Sequence, residues 1–362
     1  MKMTVRQSYS SFSVGIVLVM MSIFQGCDTT RSITEQPTLS FDTLYTGFSE
    51  KGVHSRAMDV NELFVAVGGK GGLVSILLPD TSVRYQIMKK VFGEVEDYRD
   101  LELLPVGACI LMNAGKEGIL FGVAPGGGGR VIYDTTGVFF DGMDFWESNP
   151  NNGIVYGDPI DGQFFLAKTN NMGLDWQAIS PASFPETLEN EAGFAASGSG
   201  IQTVGDSTVY FGTGNAKVAR IFKSSDLGTN WEVMETPMKA GDGFGIYSLY
   251  FWSENEGIII GGSYLDSTYQ KKICFYTSDG GQNWENRSEG LGGYCSTVSS
   301  NQDGSLTIAS GRMGTYFSEN KGLSWHLLTN RKFYTSLIKG NSIYFSGKNG
   351  TYAVYKYNRP KS

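Results

Sequence analysis

Five charged residues stand where a ligand could be met: Arg56, Arg99, Asp100, Asp141 and Glu191. Each lies at or beside the start of an innermost strand of the repeat unit described below. Two guanidinium groups on neighbouring elements can clamp one carboxylate or phosphate, because each presents paired N–H donors in a plane. Asp141 and Glu191 are of the types that serve as general acid and base. Glycoside hydrolysis would use them, and it needs two carboxyls about 5 Å or about 6.5–9.5 Å apart. Taken singly, each charge is more often a solvated loop residue or an ion-pair partner. The functional reading rests on their convergence at one funnel.

Other chemistries find less support. The loop Gly157-Asp-Pro-Ile-Asp-Gly162 places two carboxylates three residues apart. It lacks the longer alternating ligand run of a calcium loop and reads as a turn held by Asx hydrogen bonds. The glycines at 126–129 are followed by neither GK[ST] nor a helix, so they read as a hairpin tip rather than a phosphate cradle. His54 and His326 are the only histidines and belong to different repeats. A histidine-rich zinc site or a Ser-His-Asp triad is therefore not expected. No metal and no cofactor is expected, and no βαβ unit offers a nicotinamide site.

Repeated elements position these residues. Four segments share the form Ser/Thr-x-Asp/Asn-x-Gly-x-x-Trp, with Asn171, Gly173 and Trp176, then Asp226, Gly228 and Trp231, then Asp279, Gly281 and Trp284, and last Asn320, Gly322 and Trp325. The tryptophans are 55, 53 and 41 positions apart, near the period of one propeller blade. The Asp or Asn bonds nearby backbone to hold a turn, Gly supplies a positive φ, and Trp buries a large area as the next strand begins. This is the form of the Asp-box, or BNR repeat, and it closes the outer hairpin of a blade. It is scaffold, away from the axis.

Before each box comes an apolar strand, a polar turn and a second strand ending near Gly, as at 140–146 with 153–157 and at 247–252 with 257–262. Counting such units gives seven. The first starts near His54 with a second strand at 63–69, and the second near Tyr98 with one at 108–114. Units three to six carry the boxes. The seventh, 333–357, stops one strand short. The alternating stretch 41–46 can supply that strand and remove the open sheet edge. The expected fold is all-β, a single propeller of seven four-stranded blades closed by the N-terminal strand, with six or eight blades as alternatives. Innermost strands would begin near Arg56, Arg99, Asp141, Ala195, Tyr247, Cys295 and Tyr334.

Residues 1–26 do not read as domain material. Lys2 and Arg6 precede a short apolar run at 14–24, and Gly26 precedes Cys27. That is the layout of a secretory signal too short to span a bilayer. Cys27 resembles the acylated cysteine of a bacterial lipobox, although the position three before it is Phe24; the alternative is an ordinary secretory signal. Residues 27–40 would be a tether and 41–362 the propeller. From Cys27 onward the chain holds 27 basic and 36 acidic residues, which argues against a nucleic-acid surface. Cys109, Cys274 and Cys295 form no even disulfide set and read as buried thiols.

The runs Val138-Phe-Phe-Asp-Gly-Met-Asp-Phe-Trp146, Glu191-Ala-Gly-Phe-Ala-Ala-Ser-Gly198 and Gly212-Thr-Gly-Asn-Ala-Lys-Val-Ala-Arg220, with Tyr98-Arg-Asp-Leu101 and Met112-Asn-Ala-Gly115 upstream, resemble a family of exported bacterial propellers. The resemblance covers roughly residues 45–357. That family is similar to photosystem II assembly factor-like propellers, and more distantly to sialidases, sortilin-type receptors and xyloglucanases. It carries labels such as oxidoreductase or glycosyl hydrolase but implies no established activity. The box has decayed in the first two units, to 77–80 and 125–129, and the sialidase Phe/Tyr-Arg-Ile-Pro motif is missing. The expectation is a non-catalytic binding or assembly propeller at the cell envelope, lipid-anchored through Cys27. It would be a monomer, meeting an envelope protein, a glycan or an anionic ligand through Arg56, Arg99, Asp100, Asp141 and Glu191. The alternative is a glycoside hydrolase using funnel carboxylates.

Overall fold

The computed structural model describes residues 38–48, 52–77, 83–88, 90–91, 94–124, 128–180 and 183–359. The expected leader, Cys27 and most of the expected tether lie outside the described residues, as do 78–80 and 125–127 of the two segments read as decayed boxes. The chain folds into seven four-stranded antiparallel sheets, the blades of a β-propeller. Blade 1 is Ser55–Val60, Val65–Gly69, Leu73–Leu77 and Val83–Met88. The first strands of blades 2 to 7 are Tyr98–Leu103, Phe140–Phe145, Ile201–Val204, Phe244–Phe251, Cys295–Ser300 and Phe333–Lys339. Each first strand contacts that of the next blade, and blade 7 contacts blade 1, so the first strands ring one axis. Seven blades replace the open choice of six to eight.

Burial falls from the axis outward. Second strands such as Val65–Gly69, Cys109–Asn113 and Thr208–Gly212 are buried throughout, as expected of strands covered on both faces by neighbouring sheets. Fourth strands such as Gln177–Ile179 and Glu285–Asn286 are largely exposed. The core is divided into seven clusters, each between two adjacent blades. Between blades 3 and 4, for example, Tyr156 stacks on Phe211 at 4.5 Å and Phe211 on Phe222 at 4.8 Å. Between blades 7 and 1, Tyr344, Tyr352 and Val354 pack on Met58, Val65 and Val67. The first two blades keep fourth strands, Val83–Met88 and Gly129–Thr136, despite their decayed turns. The outermost strand of blade 7 is Ser40–Phe48, which pairs with Thr351–Asn358, Ser40 opposite Asn358.

The four Ser/Thr-x-Asp/Asn-x-Gly-x-x-Trp segments join third to fourth strands in blades 3 to 6 and repeat one hydrogen-bond pattern. In blade 4, Ser224 Oγ donates to Asp226 Oδ1 at 2.8 Å and accepts from Gly228 N at 2.9 Å. Asp226 Oδ1 also accepts from Asn230 N at 2.8 Å. The carboxylate thus reaches four residues on, further than the two-residue Asx turn expected. Leu227 and Gly228 both take positive φ. Each of these turns leans on the preceding blade: a Cβ on Gly173 would fall 2.1 Å from Ile110 Cδ1, and one on Gly322 2.7 Å from Ile258 Cδ1.

Candidate functional site

Six of the seven first strands carry one extra residue at the same place. The ladder skips Arg56, Arg99, Asp141, Tyr247, Ser296 and Tyr334, each left without a cross-strand partner at a β-bulge. A bulge twists a strand locally and re-aims a side chain. Five of the six line one axial cavity of about 380 Å3 together with Phe194, Tyr264, Tyr294, Arg312 and Lys332. This cup is cationic and aromatic, and no carboxylate is among its lining residues. The sixth first strand begins at Cys295 as expected, with Ser296 facing the cup, whereas the fourth begins at Ile201 and not near Ala195, which lies in the segment before it.

Arg56 forms no ion pair among the described residues, and its guanidinium sits over the Tyr334 ring, 4.4 Å from the centroid. Burial, and then the Arg99 charge, lower its pKa from the ordinary value. An arginine stays protonated regardless, so the site holds a positive charge that it does not itself neutralise. Arg99 is more constrained. It donates to Asp97 Oδ2 through Nε and Nη2 at 2.9 and 2.8 Å, and to Ala195 O through Nη1 at 2.9 Å. Arg312 donates to Tyr264 O at 2.6 Å at the exposed mouth. Phe194 stacks on Tyr247 at 3.9 Å, and Tyr294 meets Tyr247 edge-on at 4.8 Å.

The remaining sequence-predicted residues go elsewhere. Asp100 is buried and accepts from Leu101 N and Met143 N, each at 2.8 Å. It ties blade 2 to blade 3, which occupies both its oxygens. Glu191 lines neither axial cavity. It is buried against Arg220, accepting from Nε at 2.9 Å and from Nη2, and takes further donors from Thr213 and Leu188. Asp141 belongs to the bulge ring but is 1% exposed, covered by residues 193–195. Burial, and then Asp158, push its carboxyl well above the usual carboxylate range. Asp141 and Glu191 therefore do not face each other across the funnel.

A second cavity of about 530 Å3 opens at the other ends of the same strands. Three residues beyond each bulge, Asp59, Glu102, Asp144, Tyr250, Ser299 and Leu337 line it, with Glu147 nearby. Asp59 accepts from Val60 N at 2.6 Å and Leu103 N at 2.7 Å, and Asp144 accepts from Phe145 N and Thr203 N. Each is a stitch between adjacent blades. Burial raises Asp59 to about 6 and Asp144 to about 7. Glu102 is raised well above its ordinary value by burial, and then by Asp59 and Asp144. Among the described residues no cluster of three or more His, Cys, Asp or Glu is arranged to hold a metal ion.

Residues 193–199 separate the two cavities. They precede the first strand of blade 4, the one strand of the ring without the bulge. Phe194, Ala195 and Ala196 wall the cationic cup, while Ser197, Gly198 and Ser199 floor the acidic one. Ser197 Oγ donates to Ser296 O at 2.8 Å, Thr335 donates to Ser197 O at 3.4 Å, and Ser199 Oγ meets Ser248 Oγ at 2.6 Å. Gly198 has φ +78°, and a Cβ there would fall 2.1 Å from Asp100 Oδ1.

No protein-family model matches this chain, and no curated protein matches it either. Arg312, Lys332, Tyr264 and Tyr294 escaped the sequence reading because they lie on turns outside the first strands. One signal was present: Arg312 directly follows Gly311, which ends a second strand, as Lys70 and Lys348 follow Gly69 and Gly347.

Proposed function

We propose that this chain is an exported, non-catalytic binding propeller that captures a carboxylate- or phosphate-bearing ligand, or an envelope protein or glycan carrying one, in the cationic cup. The observation that carries the reading is that Arg56 and Arg99, bulge residues of adjacent blades, line one cavity that contains no lining carboxylate. Two fixed guanidiniums among aromatic rings favour a planar anion with an apolar flank. In this reading residues 1–26 are a leader, Cys27 carries a lipid anchor, 27–40 form the tether, and the four Trp-bearing turns are Asp-boxes of the propeller family that the sequence resembles. The outer strand Ser40–Phe48 latches the last blade.

The test is a crosslinking pull-down from envelope extract, read by mass spectrometry, with Arg56→Ala plus Arg99→Ala as the comparison. The double variant should lose the specific partners. Retention unchanged by the substitutions would remove this site from the proposal.

A glycoside hydrolase remains the second reading, and its support is in the acidic cavity. Asp59, Glu102 and Asp144 are carboxyls with raised pKa values in one cleft, the condition under which a general acid keeps its proton near neutrality. A panel of chromogenic glycosides and cell-wall sugars tests it, with Glu102→Gln as the inactive control. Absence of turnover across the panel counts against it.

A further inference from the structure

Asp141 is the one bulge residue withheld from the cup, and its surroundings are unusual. It is 1% exposed and no side-chain or backbone donor bonds either of its oxygens at full hydrogen-bond geometry, the Ala195 N–H of the dividing segment being the donor that faces it. Its polar neighbour is another carboxyl, that of Asp158. Two carboxyls can bond only when one of them carries a proton. Asp158 Oδ1 in turn accepts from Gly193 N at 3.2 Å, and a Cβ on Gly193 would fall 2.4 Å from Asp141 Cγ. The pair is thus pressed directly against the start of the segment that divides the axis.

The groups facing the pair offer no compensating charge. From the second strand of blade 3 comes Tyr156, whose buried hydroxyl faces the Phe194 backbone of the dividing segment. From blade 2 comes Asp100, whose oxygens are taken by Leu101 N and Met143 N. The dividing segment brings the Gly193 N–H to Asp158 and the Ala195 N–H to Asp141, dipoles but no charge. Arg99 reaches Ala195 O from the cup side and bonds Asp97 instead of the pair.

We propose that residues 193–199 are a proton-controlled strap. With one proton shared between Asp141 and Asp158 the strap stays across the axis; when that proton passes to solvent, the strap is released and the two cavities join. The doubly ionised pair would place two like charges side by side, Asp141 fully buried, with only the Gly193 and Ala195 N–H groups facing them and no cation, which is costly. Admitting water by lifting the 193–199 segment relieves that cost. The bonds that hold the segment elsewhere are hydroxyl contacts from Ser197, Ser199 and Thr335, one backbone bond from Leu249 N to Ser199 O and the Arg99–Ala195 contact. Opening exposes Asp141 beside Arg56 and Arg99, completing the bulge ring. The proposal does not depend on the identity of the ligand.

Hydrogen exchange followed by mass spectrometry on the intact chain tests it, from about pH 5 to about pH 9 and corrected for the intrinsic exchange rate. Protection of the 193–199 amides should fall with rising pH, by up to about tenfold per pH unit beyond the midpoint for a single linked proton. Amides of blade 6 should not follow. In Asp141→Asn the amide donates to Asp158 with no proton to lose, so the strap should stay protected throughout. Asp158→Asn, which still accepts from Gly193 and donates to Asp141, should behave alike and serves if the first variant fails to fold. A wild-type profile flat in pH, or a folded variant with the wild-type profile, overturns the proposal.

Discussion

Arg56 and Asp59 stand three residues apart on one strand and line opposite cavities of the propeller. The bulge at Arg56 and the stitch at Asp59 are both consequences of a first strand packed between neighbours. The same pairing of positions recurs as Arg99 with Glu102 and as Asp141 with Asp144. At Arg56 with Asp59 and at Arg99 with Glu102 the charges are thus separated along the axis, guanidiniums at one mouth and carboxyls at the other, with the buried Asp141 and Lys339, which lines the acidic cavity, as the exceptions.

The acidic mouth should make stability fall as pH rises. Glu102 has a folded pKa raised by burial and then by Asp59 and Asp144. A raised carboxyl contributes stability below its unfolded value and loses it as pH climbs through the folded value. Asp59 at about 6 and Asp144 at about 7 set the window in which the repulsion on Glu102 develops. Glu102→Gln should therefore raise the melting temperature at about pH 8 and leave it nearly unchanged at about pH 4. Equal shifts at both pH values would contradict the assignment of that charge.

Glu191 should behave as a structural partner. Its ion pair with Arg220 is buried, with side chains 0% and 8% exposed. Removing one partner of such a pair costs about 3–5 kcal/mol, because the other charge is left uncompensated. Arg220→Met should show this loss in denaturant unfolding, whereas Glu191→Leu with Arg220→Met should recover much of it. Full additivity of the two single losses would show that they do not act as a pair.

The Trp-bearing turns should matter through the blade they lean on. Gly173 and Gly162 both have positive φ, +73° and +82°, but only a Cβ at Gly173 meets a neighbouring blade, through Ile110; none of the chain lies within 4 Å of one at Gly162. Alanine costs about 1–2 kcal/mol at either position for the backbone alone. Gly173→Ala should cost a further amount of about 1–3 kcal/mol for crowding the interface. Equal losses in urea titrations would mean that the turn is free of blade 2.

Removing residues 38–48 should leave Thr351–Asn358 as an open edge. The lost strand also carries Phe41, 4.7 Å from Phe317, and Tyr45, 5.9 Å from Tyr352. A lower melting temperature together with association detected by light scattering is the expected result, since unpaired edges recruit other strands. A truncated chain that stays monomeric with the parent melting temperature would show that this strand does not latch the ring.

The blades were legible because the turn with its Trp recurs and because bulged strands open on recognisable residues. Arg56 and Arg99 were found that way. Asp100 and Glu191 were read as ligand groups because a sequence shows a charge but not its partners; Met143 N and Arg220 come from other strands. The acidic mouth went unread for a related reason. A strand alternates its faces every second residue, and the bulge shifts that rhythm, so the link between Arg56 and Asp59 carries no simple period. Nor could the sequence show that 193–199 crosses the axis, since its bonds reach five blades other than its own.

The bulge ring separates recognition from folding. A residue that pairs with nothing across the ladder contributes little to the register of its sheet, so its identity is loosely constrained by the scaffold. The chain holds arginine, aspartate, tyrosine and serine at equivalent positions, each at the same one-residue bulge. Under the proposed binding reading, the five of these positions that line the cup act as a keyboard, and the ligand that fits would be spelled by their combination.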